Sequence, residues 1–420
     1  MSSSAYLYLG PYELLHYGHE IDPSAFTLFV ESDRSVLITR RPLTTNIETE
    51  AYQYRAKAWQ VRQRLELMGF TLERATRQYD AGVQQLAEEP EDDPDGYISY
   101  WSQPLSFEQW LISMRTIINN EIWSGNLKAH QHHTFPTPYY LDELTDWYTH
   151  EVEWLFPSQD DRYMIRAAIE CIPDEAYVAV DFTELVSGGY VDSQATLCSD
   201  ARKRLSQDSL SSDNIIVLTE GSTDITILSI AMELLYPHLR AYYTFPDFGS
   251  AGVNTGAGGL AGLVRGFIGA GIKNRAIALF DNDTAALDAI NGLKKITIPD
   301  NVRIIVLPMH TLASSYPTLG PQVAQPVNMD INRRASSIEL YLGQEALTDE
   351  NGELVPVMWT SYIRPLKQYQ GEIIDKSGVF SRWLSLVKQV RERPEEMALH
   401  DWSGLRLICD AIRGAFNESS

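Results

Sequence analysis

Two acidic loops follow two apolar, strand-like segments of the chain. Glu220 lies in LTEGSTD after NIIVL, and Asp281 and Asp283 lie in LFDNDT after AIALF. Residues two apart in an extended segment point to the same side, so both aspartates can face one point. Carboxylates at neighbouring strand ends are donors that the hard cations Mg²⁺ and Mn²⁺ favour. Such a cation would offset the repulsion between the carboxylates and stabilise a phosphoryl transition state.

The segment that holds both loops alternates between strands and helices from residue 213 onward. Strands are predicted at NIIVLTE, AYYTFPDF, RAIALFDND and VRIIVLP, and helices at STDITILSIAMELLYPHL, after the glycine-rich loop near 249, and at TAALDAINGLK. This order predicts an α/β fold with a mostly parallel sheet and helices on both faces. Ligand sites in such sheets lie off the carboxyl ends of the strands, where Glu220, Asp247, Asp281 and Asp283 all fall.

The loop that holds Asp281 and Asp283 can also be explained without a shared metal site. Asp283 precedes Thr284 at the start of a predicted helix, where aspartate commonly caps the first turn. The run FDNDT also matches the D-x-D-x-T of haloacid-dehalogenase phosphatases, in which Asp281 would be the nucleophile and Asp283 the acid/base. That superfamily needs a downstream G-D-x-x-x-D element, which the sequence lacks, and the match leaves LTEGSTD unexplained.

Together the loops resemble the Toprim domain of topoisomerases, primases and overcoming-lysogenisation-defect (OLD) nucleases. In that family a glutamate follows the first strand and Asp-x-Asp follows the third, and EGSTD is similar to the E-G-x-x-D form of the nuclease branch. The resemblance implies that Glu220 is a metal ligand or a general acid/base, and that Asp281 and Asp283 are catalytic metal ligands. It also implies that Asp224, one turn into the helix, serves a second metal.

Further residues are expected to complete this site. The resemblance covers about 213–310, and in nuclease-type Toprim proteins a later acid, here Glu339 in RRASSIELYLG, completes the metal site. Lys376 in QGEIIDK is the favoured cation for the scissile phosphate. Gly221, Arg265 and Lys273 are the other expected phosphate-binding residues. The glycine-rich loop could let backbone amides approach a phosphate, but it lacks the G-K-[ST] of a P-loop.

The chain as a whole resembles bacterial proteins with a HEPN/Toprim-associated N-terminal domain. AYLYLGPYELL and FTLFVESDR are similar to that domain, and the stretch from RRASSIELYLG to QGEIIDKSGVF is similar to the region after the Toprim domain in those proteins. Such proteins are suspected of acting in antiphage defence. HEPN ribonucleases use Arg, four to six residues, then His, and Arg115 and Arg166 have no His at that distance. Any cleavage would therefore depend on the Toprim-like site.

The two halves of the chain differ in charge and predicted architecture. Residues 1–200 hold 13 Lys and Arg against 32 Asp and Glu, and residues 201–420 hold 21 against 24. A uniformly basic nucleic-acid binder is excluded. We predict an acidic α+β region at 1–200 (strands at 1–45, mainly helices at 50–172), a Toprim-like domain at 210–345 and a mixed, mainly helical extension at 346–420. The acidic half is either a solvated surface or an interface for a protein partner or a second copy.

Other features set the cellular context. Three widely spaced cysteines argue against disulfides and fit a reducing cytoplasm, and neither a signal peptide nor a membrane span is recognisable. The acidic run 88–96 is interpreted as a solvated linker or loop. The cluster of His130, His132 and His133 is interpreted as a loop, and the recurring tryptophans are interpreted as core residues. These are Trp101, Trp110, Trp123, Trp147 and Trp154.

The sequence therefore predicts a cytoplasmic, Mg²⁺- or Mn²⁺-dependent nuclease that acts on DNA or RNA and is restrained until infection. The non-enzymatic alternative is a degenerate Toprim scaffold that senses or binds a partner. The choice between DNA and RNA and the oligomeric state stay open at this point.

Overall fold

The computed structural model describes residues 4–18, 23–40, 48–88, 106–119, 156, 160–208, 214–250, 252, 254–320 and 325–416. The chain divides into two compact units, Met1–Asp213 and Asn214–Ser420. Both units mix helices with sheets, so the fold is mixed α/β.

The N-terminal unit is built around a five-stranded antiparallel sheet in the order β2-β1-β5-β4-β3. Its strands are β1 (Ala5–Leu9), β2 (Tyr12–Tyr17), β3 (Arg34–Arg40), β4 (Glu48–Lys57) and β5 (Tyr177–Asp181). Its helices are α1 (Pro23–Phe26), α2 (Ala58–Met68), α3 (Leu72–Glu88), α4 (Phe107–Asn119), α5 (Asp161–Ala168), α6 (Thr183–Ser187) and α7 (Leu197–Asp208).

One predicted strand is wrong. FTLFVES forms the end of α1, a turn and a 3-10 helix at Glu31–Asp33 instead of a strand. Its apolar residues are buried consecutively and do not alternate between two faces. The Thr27 hydroxyl donates to the Ser24 carbonyl, and the Asp33 carboxylate accepts from the Val30 N–H. These local hydrogen bonds compete with a strand ladder and hold the segment in turns.

The predicted helical start near residue 50 is also wrong, because β4 continues to Lys57. Residues 48–54 pair with β3 on one side, and residues 53–57 pair with β5 on the other. Ala51, Tyr54 and Ala56 are buried in this strand. The helices α2, α3, α4, α5 and α7 confirm the helical predictions from residue 58 onward over the residues that they span, and Trp110 is in the core as predicted. The histidine cluster, the acidic run from residue 89 on and the other four tryptophans named above lie outside the described residues.

The C-terminal unit contains a four-stranded parallel sheet in the order β10-β8-β6-β7. Its strands are β6 (Ile215–Leu218), β7 (Tyr243–Thr244), β8 (Ala276–Phe280) and β10 (Val302–Val306), and β9 (Asn282–Asp283) lies between β8 and β10 in sequence. The connecting helices are α8 (Ser222–Leu235), α9 (Gly256–Gly269) and α10 (Thr284–Leu293). The predicted parallel sheet is confirmed, although β7 is only two residues long.

The strand order determines where the helices lie. The chain steps from β6 to β7 in one direction and from β7 through β8 to β10 in the other. Because parallel crossovers are almost always right-handed, α8 covers one face of the sheet and α9 and α10 the other. Consistently, Leu260 and Val264 of α9 pack in one apolar cluster with Phe280 of β8 and Ala286 of α10.

A second sheet follows, with the order β12-β11-β14-β15. Its strands are β11 (Tyr316–Leu319), β12 (Val327–Met329), β14 (Val357–Ile363) and β15 (Gln368–Ile373), and β13 (Ala335–Ser336) pairs with β9 instead. The remaining helices are α11 (Gln344–Leu347), α12 (Lys376–Glu392) and α13 (Ser403–Gly414). Strands from both sides of residue 345, where we predicted a boundary, therefore share one sheet. None of the described helices has the length and apolarity needed to cross a membrane.

Candidate active site

The acidic loops lie at the point of the parallel sheet where the connections change direction. Glu220 is the second residue after β6, and Asp281 directly follows β8, its neighbour in the sheet. The chain leaves β6 towards α8 on one face and leaves β8 towards α10 on the other. In open α/β sheets such a switch point forms a crevice at the carboxyl ends of the strands, which is the usual place for a ligand.

The two loops are joined by a direct hydrogen bond. The backbone N–H of Asp281 donates to Oε1 of Glu220 at 3.0 Å, and the N–H of Gly256 donates to the Glu220 carbonyl at 2.7 Å. Burial raises the pKa of Glu220 to about 7, and the neighbouring Asp283 and Asp224 carboxylates add to this. Glu220 can therefore exchange a proton near neutral pH.

Asp224 lies in the first turn of α8 and faces back towards Glu220. Its Oδ2 accepts a hydrogen bond from the N–H of Gly221 at 2.9 Å. Burial raises the pKa of Asp224 to about 6, with a further contribution from the Glu339 carboxylate. The amide of Gly221, which we expected to meet a phosphate, is thus directed at a carboxylate of its own helix.

The two aspartates after β8 are held differently. Asp283 caps α10, with the Ala286 N–H donating to its Oδ1 at 2.7 Å and Nε2 of Gln370 donating to its Oδ2 at 2.5 Å. Burial raises its pKa despite these hydrogen bonds. The pKa of Asp281 is raised well above the usual range by burial and then by the surrounding carboxylates, Glu220 first.

Glu339 and Lys376 come from the segment beyond the parallel sheet. Glu339 is buried in a 3-10 turn at Ile338–Tyr341, and the Ser337 hydroxyl donates to its Oε2 at 2.5 Å. Nζ of Lys376 lies 4.0 Å from Oε1 of Glu339. Burial lowers the pKa of Lys376, but the carboxylates of Glu339, Asp281, Glu372 and Asp224 more than offset this, so the amine stays protonated.

Five carboxylates thus influence one another, and we call them the acidic cluster. They are Glu220, Asp224, Asp281, Asp283 and Glu339. Lys376 is a cation that lowers the pKa values of three of them. The structure therefore brings together six of the nine residues that the sequence singled out, besides Gly221, which starts α8 beside them.

The structure does not bring Arg265 and Lys273 to the acidic cluster. The N–H of Gly256, at the start of α9, contacts Glu220, and Arg265 lies nine residues further along that helix, roughly 14 Å away at 1.5 Å per residue. Lys273 precedes β8, so it lies at the amino-terminal ends of the strands, whereas the acidic cluster lies at their carboxyl ends. Asp247 follows β7 and caps its own turn, accepting from the Ser250 N–H at 3.1 Å.

Sequence reasoning missed Gln370. Besides donating to Asp283, its Oε1 accepts from the Ala285 N–H at 2.9 Å, so one side chain fixes both the capping aspartate and the first turn of α10. The signal was present: Gln370 belongs to the same QGEIIDK run that singled out Lys376. The pairing of β9 with β13 was not predicted either, and it places Ala335 opposite Asp283.

The donor set of the acidic cluster suits a hard divalent cation, because all its donors are carboxylate oxygens. The side chains as they stand are not a finished metal site: over the described part of the chain, no group of three or more His, Cys, Asp or Glu side chains is arranged to hold an ion. The chemistry of the donors therefore fits a metal, and their present arrangement is one that must change to bind it.

Comparison with known proteins bears on the N-terminal unit. Residues 1–205 match the family model described as HEPN/Toprim N-terminal domain 1. The resemblance carried by AYLYLGPYELL and FTLFVESDR is thereby confirmed. No curated protein and no solved structure matches the chain. The family match ends before Glu220, so it covers none of the acidic cluster.

Proposed function

We propose that the C-terminal unit is a Toprim-like domain that cleaves phosphodiester bonds of nucleic acid, DNA or RNA, with the help of Mg²⁺ or Mn²⁺. The observation that carries the proposal is the hydrogen bond from Asp281 to Glu220, at the switch point of a parallel sheet. The order of the acidic loops along the chain also supports the proposal, because a glutamate follows the first strand of this sheet and Asp-x-Asp follows the third. Either loop alone would be a cap or a turn.

The charges of the acidic cluster support a role for a divalent cation. Burial and mutual repulsion raise the pKa values of Glu220, Asp224 and Asp281. We propose that the cluster holds the ion, which when bound supplies transition-state charge stabilisation and lowers the pKa of water. Binding requires the carboxylates to move from their present hydrogen bonds with the Asp281 and Gly221 amides.

The chain's own residues have distinct proposed roles. Glu220, with a pKa of about 7, is suited to proton transfer at neutral pH. Lys376 is suited to neutralising a phosphate next to the acidic cluster, because its ammonium group stays charged there. Gln370 and the α10 cap hold Asp283 in place. Proton transfer and neutralisation of phosphate charge are tasks in phosphodiester hydrolysis, and a fixed Asp283 is a preorganised carboxylate for the ion.

The N-terminal unit supplies the biological part of the proposal. Its family description links it to HEPN and Toprim proteins, which supports a nuclease-related context. We propose that the protein acts in the cytoplasm in bacterial antiphage defence and that its activity is restrained until it is triggered. The excess of acidic residues in this half would serve the restraint by binding a protein partner, which is absent from the purified protein.

One observation favours a different function. Since no group of side chains among those described is ready to hold an ion, a degenerate Toprim scaffold that senses or binds a partner is the second candidate. The dehalogenase interpretation has less support. It assigns no role to Glu220, whose carboxylate accepts from the Asp281 amide.

Cleavage assays separate these functions. Wild type, Asp281→Ala and Asp247→Ala would be incubated with plasmid DNA, single-stranded DNA and total tRNA, with Mn²⁺ or with EDTA. Asp247 is the matched control, because it also follows a strand of the parallel sheet but caps its own turn. We expect cleavage only with Mn²⁺, by wild type and Asp247→Ala. Equal cleavage by Asp281→Ala, or none by wild type, would contradict the proposal and favour the scaffold.

A further inference from the structure

A cavity of about 430 Å³ lies on the sheet formed by β11, β12, β14 and β15. Its volume falls within the range of sites for small ligands. The residues that line it combine aromatic rings with two cations: Met329, Arg334, Trp359, Tyr362, Lys367, Gln368 and Tyr369. All of them belong to the C-terminal unit.

Two of the rings are open to solvent. Tyr362 and Tyr369 face each other across β14 and β15, with ring centroids 5.0 Å apart and an interplanar angle of 63°. They are 48% and 55% exposed. Rings with this much free surface add little to a core, and they offer flat apolar faces to a ligand.

A bulge in β14 adds a third ring to the same cavity. Trp359 pairs with Gly371 and Ser361 pairs with Gln370, so Thr360 is an extra residue on this strand. Side chains three apart on a regular strand would point to opposite faces. The inserted residue shifts that alternation, so that Trp359 and Tyr362 both line the cavity.

The rim of the cavity is positively charged. Arg334 and Lys367 are exposed, and neither forms an ion pair with any residue that the structure describes. Lys367 has φ 53° at the hairpin turn, and Arg333, beside Arg334, has φ 62°. Non-glycine residues adopt this left-handed region at a cost and tend to do so at functional sites. The rim therefore suits an anion, and the floor suits a flat apolar group.

Two residues that line the cavity are chain neighbours of residues that contact Asp283 of the acidic cluster. Tyr369 lines the cavity, and the next residue, Gln370, donates to Asp283. Arg334 also lines it, its carbonyl accepts from the Thr284 hydroxyl, and the following residue, Ala335, pairs with Asp283. A strand advances about 3.3 Å per residue. The cavity and the contact to Asp283 are therefore one residue apart along β15, on opposite faces of the strand because successive side chains alternate.

We propose that this cavity binds an unpaired nucleotide of a single-stranded nucleic acid and directs that strand to the acidic cluster. A base would stack on Tyr369, Tyr362 and Trp359, and a backbone phosphate would pair with Arg334 and Lys367. Stacking platforms with flanking cations are the general means of holding single strands, whereas the bases of a duplex have no free faces. The inference depends on the proposed function, since it names the substrate class of that site.

Binding can be measured without cleavage, in EDTA. A fluorescein-labelled single-stranded 12-mer of thymidine and a 12-base-pair duplex would be titrated with the full-length protein and followed by fluorescence anisotropy. The variants are Tyr369→Ala, Tyr369→Phe and Lys367→Ala, with Tyr190→Ala and Lys388→Ala as controls at exposed positions outside the cavity. Circular dichroism and thermal unfolding would verify that each variant is folded.

We expect the single strand to bind more tightly than the duplex. Tyr369→Ala should weaken binding about 5- to 150-fold, from roughly 1–3 kcal/mol for one stacked base, whereas Tyr369→Phe should bind like wild type. Lys367→Ala should reduce the slope of log affinity against log salt by about 0.7. Unchanged binding by a folded Tyr369→Ala, equal binding of the duplex, or no binding by wild type would overturn the inference.

The same samples distinguish this inference from the proposed function. If the single strand binds and Tyr369→Ala weakens it, but Mn²⁺ produces no cleavage, the cavity stands and the nuclease proposal fails. If Mn²⁺-dependent cleavage occurs and the cavity variants bind and cleave like wild type, the nuclease stands and the cavity proposal fails.

Discussion

The backbone N–H of Asp281 donates a hydrogen bond to Oε1 of Glu220, a residue 61 positions earlier in the chain. This contact joins the loops that follow β6 and β8 and places a carboxylate beside the start of the second acidic loop. Both carboxyl groups have raised pKa values, because burial and mutual repulsion disfavour their charged forms. The contact therefore ties the stability of the metal-free protein to pH.

We predict that the metal-free protein becomes less stable as pH rises. Between about pH 4 and pH 7, carboxyl groups of the folded cluster keep protons that the same groups lose in the unfolded chain. The cluster's contribution to the free energy of unfolding is therefore fully present below about pH 4 and disappears as the pH rises through about 7. A shift of one pKa unit corresponds to about 1.4 kcal/mol, so the loss should be on the order of 1–3 kcal/mol. Urea unfolding in EDTA at pH 5 and pH 8 would measure it.

The matched variants for this prediction are Asp281→Asn and Asp247→Asn. Asp281→Asn removes one of the repelling charges, so its unfolding free energy should fall less between pH 5 and pH 8 than that of wild type. Asp247→Asn should follow wild type, because Asp247 lies outside the acidic cluster. Identical pH dependence in wild type and Asp281→Asn would contradict the account of the cluster.

Lys376→Met should have opposite effects on metal-free stability and on stabilisation by Mn²⁺. Loss of the ammonium group leaves the carboxylates less compensated, so stability at pH 8 in EDTA should fall by on the order of 1 kcal/mol, the side chain being partly exposed. The increase in melting temperature on adding Mn²⁺ should be larger than in wild type. Lys388→Met, at an exposed position of the same helix, is the control and should change neither value. A smaller Mn²⁺ effect in Lys376→Met would contradict this prediction.

Gln370→Ala should weaken the site through Asp283. The substitution removes the donor to Asp283 Oδ2 and the acceptor of the Ala285 N–H, and leaving these groups without partners should cost about 1–3 kcal/mol. Any Mn²⁺-dependent cleavage should fall as well. Gln344→Ala, at an exposed position of α11, serves as the control for both measurements. Wild-type stability and cleavage in Gln370→Ala would show that the contact has no role.

Gly371→Ala and Gly262→Ala should change stability in opposite directions. A Cβ at Gly371 would lie 2.9 Å from Val357 Cγ1 and 3.1 Å from Ala335 Cβ, so the substitution should destabilise the protein by about 1–3 kcal/mol. Gly262 lies in α9 with no atom within 4 Å of the added carbon. Alanine there should stabilise the helix by up to about 1 kcal/mol. Urea unfolding of both variants would test the packing of β15 against β13.

The sequence predicted the parts of the fold in which a local pattern and its tertiary environment agree. The apolar runs before Glu220 and Asp281 are buried strands, and their order along the chain was sufficient to predict a parallel sheet. FTLFVES failed because a continuous apolar run carries no information on the face it buries. Here the Ser24 carbonyl and the Asp33 carboxylate hold it in turns.

The site was predictable only where its residues are close in sequence or carry a motif. Glu220, Asp224, Asp281 and Asp283 belong to two short loops, and the strand order brings those loops together. Gln370 reaches Asp283 across 87 positions through the β14–β15 hairpin, whose register no local pattern specified. Arg265 and Lys273 were candidates by charge alone, and charge does not indicate whether a residue lies near the carboxyl ends of the strands.

Binding of Mn²⁺ to the full-length protein tests the central claim most directly, because it requires no substrate. Electron paramagnetic resonance would follow free Mn²⁺ during titration of wild type, Asp281→Asn and Asp247→Asn at pH 8. We predict that wild type and Asp247→Asn bind Mn²⁺ alike and that Asp281→Asn binds at least about tenfold more weakly. Absence of binding by wild type, or equal binding by Asp281→Asn, would contradict the assignment of the acidic cluster as a metal site.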